Sequence, residues 1–257
     1  MNMPLNTKLD LSTSPVVELR QYTLKPGKRE VLIDLFDSKL IEAQEKAGMT
    51  IIGQFRDLDR PDMFVWLRGF DSMEARKNAL TGFYDGPVWA AHRDAANATM
   101  IDSDDVLLLK PAWPGAAFDL SGLQRDNAPH LEKSREGNRT TANFGIWIHH
   151  LRSGTEARFA RHFEITAVPL LTAPGGRLLA AFVTEHAKNS FPRLPVRANE
   201  NVFIAVADFD SAEVYASHEA TLAASPAWQA FGQETKPYLA KPTETLRLSP
   251  TKRSLLR

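Results

Sequence analysis

The chain repeats itself, and the repeat limits the architectures open to it. The segment from Phe70 to Pro111 runs without a gap against Phe209 to Pro250, at a constant offset of 139 residues. Phe-Asp-Ser opens both copies, Pro87-Val-Trp89 falls on Pro226-Ala-Trp228, and Leu109-Lys-Pro111 falls on Leu248-Ser-Pro250. Upstream, Leu24, Gly27, Phe36, Gly48 and Phe55 align with Leu151, Gly154, Phe163, Gly175 and Phe182 at an offset of 127. The two offsets differ by a 12-residue insertion in the second copy, near His186 to Arg197. Its two prolines and three basic residues read as a surface loop between strands. Anchors spread over so long a stretch are the signature of a duplicated structural unit.

Each copy reads strand, helix, strand, strand, helix, strand. Val16–Leu24 alternates like a half-buried strand, and Pro26-Gly27 ends it. Lys28–Lys46 carries Val31, Leu32, Leu35, Phe36 and Leu40 at helical spacing, with Gly48 as its stop. Thr50–Arg56 and Met63–Phe70 are strands around the turn residues Asp59-Arg60-Pro61-Asp62. A helix over Met73–Ala98 is broken at Gly86-Pro87, and Val106–Lys110 closes the unit. The second copy supplies Asn143–Leu151, Thr155–Val168, Arg177–Glu185, Asn201–Phe209, Ala212–Leu239 and Glu244–Leu248, with Pro169 expected to end its first helix early. The predicted organisation is a repeat over 16–113, a polar linker over 114–142 and a second, divergent repeat over 143–250. The fold class is α+β: tandem ferredoxin-like βαββαβ repeats whose sheets cover each other as a barrel, either within one chain or across a dimer. In such a unit both helices lie on one face of the sheet, and the two bare faces are expected to cover each other.

Strand parity sorts the side chains. With Val17 and Leu19 facing the helices, Glu18, Arg20 and Tyr22 project from the bare face, together with Phe64, Trp66 and Arg68. The matching positions of the second copy are Gly145, Trp147 and His149. A chamber shared by the two sheets would bring these groups together. A buried Glu18–Arg20 pair is costly to desolvate, which points to a ligand-facing role; at a solvated rim the same pair would be close to neutral in energy. His149 fits a general base, a haem ligand or a hydrogen-bonded core residue. Trp89, His92 and Arg93, after the kink, are expected near a pocket mouth.

Composition excludes several classes. There is no cysteine, hence no disulfide, thiolate nucleophile or Cys-based metal site. Lys plus Arg and Asp plus Glu are 31 each, so the net charge is zero and gives no bulk attraction to nucleic acid or anionic membrane. Seven scattered histidines make no metal-binding spacing. Neither GxGxxG, a P-loop nor GxSxG is present. The N-terminal residues lack an apolar signal core, and the expected location is cytoplasmic.

Val17-Glu18-Leu19-Arg20-Gln21-Tyr22-Thr23-Leu24-Lys25-Pro26-Gly27 resembles the opening strand and turn of the NIPSNAP family. The strand Phe64–Phe70, Pro87-x-Trp89 and the closing Leu107-Leu108-Leu109-Lys110-Pro111 resemble it too. The likeness covers Val16 to Trp113 well and Asn143 to Pro250 faintly, since Gly145-Ile-Trp147-Ile-His149 replaces the Glu-x-Arg-x-Tyr pattern. The resemblance implies a dimeric α/β-barrel, and with it a homodimer or higher homo-oligomer. Its superfamily includes cofactor-independent monooxygenases, isomerases, haem proteins and plain binding proteins. The expectation is a barrel that binds a small, largely apolar organic molecule without cofactor, metal, nucleic acid or membrane, and that transforms it by proton transfer or oxygenation. Glu18, Arg20, Tyr22 and His149 are the catalytic candidates; Phe64, Trp66, Arg68, Trp89, His92, Arg93 and Trp147 are the binding candidates. A haem-binding barrel and a non-catalytic scaffold are the alternatives.

Overall fold

Eight antiparallel strands close into one barrel within a single chain, in the order β1-β3-β2-β8-β5-β7-β6-β4. These are β1 (Val16–Leu24), β2 (Thr50–Asp57), β3 (Met63–Phe70), β4 (Met100–Pro111), β5 (Asn143–His150), β6 (Arg177–Thr184), β7 (Val202–Phe209) and β8 (Glu244–Pro250). The computed structural model describes residues 13–125 and 143–257. Each half contributes four neighbouring strands. Two short seams join the halves: Phe55–Asp57 of β2 pairs with Leu248–Pro250 of β8, and Leu109–Pro111 of β4 pairs with Phe182–Thr184 of β6. Closure gives each described strand a neighbour on both sides and so leaves no edge strand, the usual route to aggregation.

The helices lie outside the barrel. In the first half, α1 (Arg29–Leu35) runs through a π-helical turn at Phe36–Leu40 into α2 (Ile41–Lys46). In the second half, α5 (Glu156–His162) runs through the same kind of turn at Phe163–Ala167 into α6 (Val168–Thr172). Pro169 does not end this helix early. It sits directly after the π-helical turn, at the start of α6, and the helix continues through it to Thr172. The second helix of each half is split as the prolines require. Gly86 separates α3 (Met73–Tyr84) from α4 (Pro87–Asn97), and Ser225 separates α7 (Ala212–Ala224) from α8 (Pro226–Thr235). Ser72 and Ser211 cap α3 and α7, each side-chain oxygen accepting from the backbone N–H three residues on.

The barrel interior is a dry apolar core, not a chamber. Val17, Leu19, Val65 and Leu67 of the first half meet Ile146, Phe182 and Ile204 of the second there. Phe118 and Leu120 enter the same core, so the segment expected to start a polar linker at residue 114 is anchored at its beginning. The rest of that expected linker, residues 126–142, lies outside the described residues. The predicted facing of β1 is therefore corrected. Glu18, Arg20 and Tyr22 point toward the helices of the first half, and Val17 and Leu19 point into the barrel. The reason is physical: both faces of a barrel sheet with helices outside are buried, so apolar-polar alternation cannot say which face is which.

Candidate functional site

Antiparallel register builds the site. Glu18 lies opposite Arg68, Arg20 opposite Trp66, and Tyr22 opposite Phe64, so all six side chains share the helix-facing side of β1 and β3. Above them α3 offers a buried face of Arg76, Ala79, Leu80 and Phe83, the spacing of one helical stripe. Arg76 is the charged member of that stripe. The result is one carboxylate among three guanidiniums, none of the four side chains more than 1% exposed. Glu18 Oε2 accepts from Arg20 Nη1 at 2.7 Å and from Arg68 Nε at 2.8 Å, and Oε1 accepts from Arg76 Nε at 2.6 Å.

The remaining donors meet neutral acceptors or none. Arg20 Nε donates to the Tyr22 hydroxyl oxygen at 3.0 Å. Arg68 Nη1 reaches Gln44 Oε1 at 3.4 Å and Met49 Sδ at 3.7 Å. Arg76 Nη1 donates to Asn189 Oδ1 at 2.9 Å and Ser190 Oγ at 3.1 Å. Arg68 Nη2 also lies against Glu18 Oε2, at 2.8 Å; Arg76 Nη2 and Trp66 Nε1 are buried without a hydrogen-bond partner. The guanidiniums of Arg20 and Arg68 lie 5.5 and 5.0 Å from the Trp66 ring centroid, within cation–π range.

Burial would raise the Glu18 carboxyl, but Arg68, Arg20 and Arg76 outweigh it and hold the group far below the usual carboxylate range. It is a permanent anion whose two oxygens are committed. Burial raises the Tyr22 phenol above its ordinary value against the opposing pull of Arg20, so Tyr22 stays a hydroxyl donor. Burial lowers the Arg76 guanidinium; Glu18 opposes that, and Arg68 and Arg20 add to it.

Beside this cluster lies a small cavity, about 30 Å³, walled by Tyr22, Phe36, Gln44, Trp66, Tyr84 and Trp89 among others. It has room for about one or two waters. Tyr84 and Trp89 are only half-buried, and Phe191 of the inserted loop stacks on Tyr84 with centroids 6.0 Å apart. This side of the wall belongs to α3, α4 and the loop rather than to the rigid sheet.

Of the residues chosen from sequence, the structure brings together Glu18, Arg20, Tyr22, Phe64, Trp66, Arg68 and Trp89. It does not bring the others to them. His92 is half-buried on α4, and Arg93 is exposed beside Asp94. Trp147 and His149 lie in the second half, on the far side of the barrel core, which corrects the expectation of one shared space. His149 packs against Phe159, Phe163 and Phe203 and bonds Thr243 Oγ1 through Nδ1 at 2.9 Å. Burial lowers its pKa to about 3, and neither of the two described cavities borders it. It is not a protonated acid at neutral pH. Sequence reasoning missed Arg76, Gln44, Tyr84 and the loop residues Asn189, Ser190 and Phe191. Arg76 left a signal, an arginine inside an apolar helical stripe; the loop residues left none.

The comparisons agree with this architecture. Residues 17–113 match the NIPSNAP family model. No curated protein matches the sequence. Among solved structures, the chain is similar to an anthrone oxidase-like protein at 13% identity, covering 92% of this chain and 91% of that one, with a TM-score of 0.60. It is also similar to two proteins provisionally assigned as monooxygenases. One, from Fusobacterium nucleatum, shows 10% identity, 93% coverage of both chains and a TM-score of 0.56. The other, from Lactobacillus acidophilus, shows 12% identity, 92% and 94% coverage and a TM-score of 0.52. At such identities the likeness is one of fold. Among the described residues no helix is long and apolar enough to cross a membrane, and no group of three or more acidic or histidine side chains is placed to hold a metal ion.

Proposed function

With residues 17–113 forming a NIPSNAP domain, we propose that the chain binds a small, largely apolar organic molecule between the sheet and the helices of its first half, and that Tyr22, backed by Arg20, stabilises negative charge on an oxygen of that molecule. The observation that carries this reading is the aromatic cavity lined by Tyr22 and by Trp66, whose Nε1–H has no partner, set against a buried excess of guanidinium. Preorganised donors in a dry site are the arrangement that lowers the energy of an enolate or phenolate. The residues lining the cavity include no carboxylate or imidazole, and Glu18 is held by three arginines. The site therefore stabilises an oxyanion without supplying a base of its own. That suits molecules acidic enough to give up their proton to water, such as phenols and ketones whose enol form is aromatic, and it suits cofactor-free oxygenation better than isomerisation by a protein base. The fold shared with an anthrone oxidase-like protein is in keeping with this chemistry.

The space present is too small for such a molecule, so binding requires Tyr84, Trp89 and Phe191 to move. Titration with anthrone and with 1-naphthol tests the reading. Tryptophan fluorescence should be quenched, because Trp66 and Trp89 border the site, and oxygen uptake should accompany anthrone. Tyr22→Phe should keep the fold and weaken binding about tenfold, the scale of one hydrogen bond to a charged oxygen. Equal binding and turnover by this variant would remove the proposed role, and no binding by the native protein would leave a scaffold.

A further inference from the structure

The loop inserted in the second half lies over the first half's arginine cluster, and the charges there do not balance. Every salt bridge of Arg20, Arg68 and Arg76 ends on the one carboxylate of Glu18. Buried charges without an opposite partner are strongly disfavoured, so the cluster is built to meet further negative charge. Arg76 shows where. Its Nε is bound to Glu18, its Nη1 is bound to two neutral oxygens from the loop, and its Nη2 has no acceptor. Nη1 and Nη2 form one edge of the guanidinium, the edge that a carboxylate takes with two parallel hydrogen bonds.

The loop also encloses space. It leaves β6 where the Glu185 N–H donates to the Leu108 carbonyl, and it returns where the Arg197 N–H donates to the Val106 carbonyl. Between these points lies a cavity of about 440 Å³, within the usual range of small-molecule sites. Asn189 stands on its wall and on Arg76 at once. Leu108, Pro192, Pro195 and Val196 give the wall apolar surface. Its two carboxylates are engaged: Glu200 with Arg197 at 2.6 Å and His150 at 3.1 Å, and Glu185 with the Ala187 N–H at 2.8 Å. Lys188, also on the wall, is exposed and makes no salt bridge among the described residues.

We propose that this loop cavity is a second ligand site, one for a small organic acid, whose carboxylate takes the Nη1–Nη2 edge of Arg76 in place of Asn189 Oδ1 and Ser190 Oγ, with Lys188 at the entrance. Asn189 is then a neutral stand-in. It holds the loop down through its bonds to the Phe191 N–H and the Leu194 carbonyl, and it yields to the charged group.

The test uses benzoate against benzamide, two probes of equal shape and different charge, titrated by calorimetry into the full chain. Benzoate should bind at least tenfold more tightly. Asn189→Asp fixes a carboxylate on Arg76; it should raise the melting temperature and weaken benzoate at least tenfold. Lys188→Ala, an exposed change that cannot disturb the core, should weaken benzoate about threefold and leave benzamide unchanged. Equal affinity for the two probes in the native protein overturns the proposal, as does benzoate binding unaltered in both variants. Quenching by 1-naphthol reads the Tyr22 pocket separately, so the two sites stand or fall independently.

Discussion

The two halves of the barrel answer the same structural question with opposite chemistry. At three alternate positions β1 carries Glu18, Arg20 and Tyr22, and β5 carries Gly145, Trp147 and His149. Arg68, opposite Glu18, corresponds to Ala207, opposite Gly145. Arg76 of α3 corresponds to Tyr215 of α7. Every member of the charged cluster has thus been exchanged for an apolar or aromatic partner. The exchange is concerted. Ala207, Tyr215, Phe209 and Trp147 form one small cluster, and a Cβ on Gly145 would come within 2.7 Å of the Trp147 ring. The indole fills the space that a carboxylate occupies in the other half. The lesson is that this fold does not need a buried ion cluster at that place, because the same molecule stands without one on its other side. Ionic clusters bring little net stability over apolar packing. The first-half cluster therefore calls for a reason other than stability, and the ligand sites proposed above supply one.

The comparison can be broken in three ways. The largest effect is expected for Glu18→Ala, which strips three buried guanidiniums of their only counter-ion and should cost about 5 kcal/mol in denaturant unfolding. A loss under about 1 kcal/mol would mean that the cluster is wet and the contrast between halves superficial. Next comes a transplant of the second-half solution into the first, Glu18→Gly with Arg20→Trp, Arg68→Ala and Arg76→Tyr. This variant should recover about 3 kcal/mol of that loss while losing benzoate and 1-naphthol binding. A transplant less stable than Glu18→Ala alone would show that the halves are not interchangeable.

The smallest effect concerns acid. His149 is buried neutral, with a pKa of about 3 against an ordinary 6.5. The unfolded chain binds the proton more readily, so its stabilisation is complete above pH 6.5 and drains away as pH falls toward 3. Glu18, depressed by its arginines, starts to lose its contribution only below its ordinary 4.5. Acid should therefore loosen the second half before the first. His149→Phe should flatten the decline between pH 6.5 and 3, measured as the pH dependence of unfolding free energy. An unchanged slope would place the acid sensitivity elsewhere.

Much of the fold was readable from local chemistry. β1 and β3 run over the residues that their alternation predicts, and Gly86-Pro87 breaks the helix where a proline must. The second helix of the other half breaks at Ser225-Pro226 for the same reason, although the sequence reading ran it through. β4 starts at Met100, earlier than its apolar run at Val106 suggests, because its polar beginning is held by pairing with β1. Of the site, the sequence marked the strand residues and lost those that arrive from elsewhere. Arg76 comes from a helix, and Asn189 comes from a loop 113 positions away in the chain.

Sequence alone set the alternation of each strand, the breaks in each helix and the correspondence between the halves, because these depend on bonding and sterics among near neighbours. It placed Glu18, Arg20 and Tyr22 on one face together. Which face that was, barrel core or helix layer, was decided only when two sheets closed on each other, since both faces are buried and burial is a property of the assembled layers. The same closure brought a loop of the second half onto an arginine of the first, a contact that no local rule encodes.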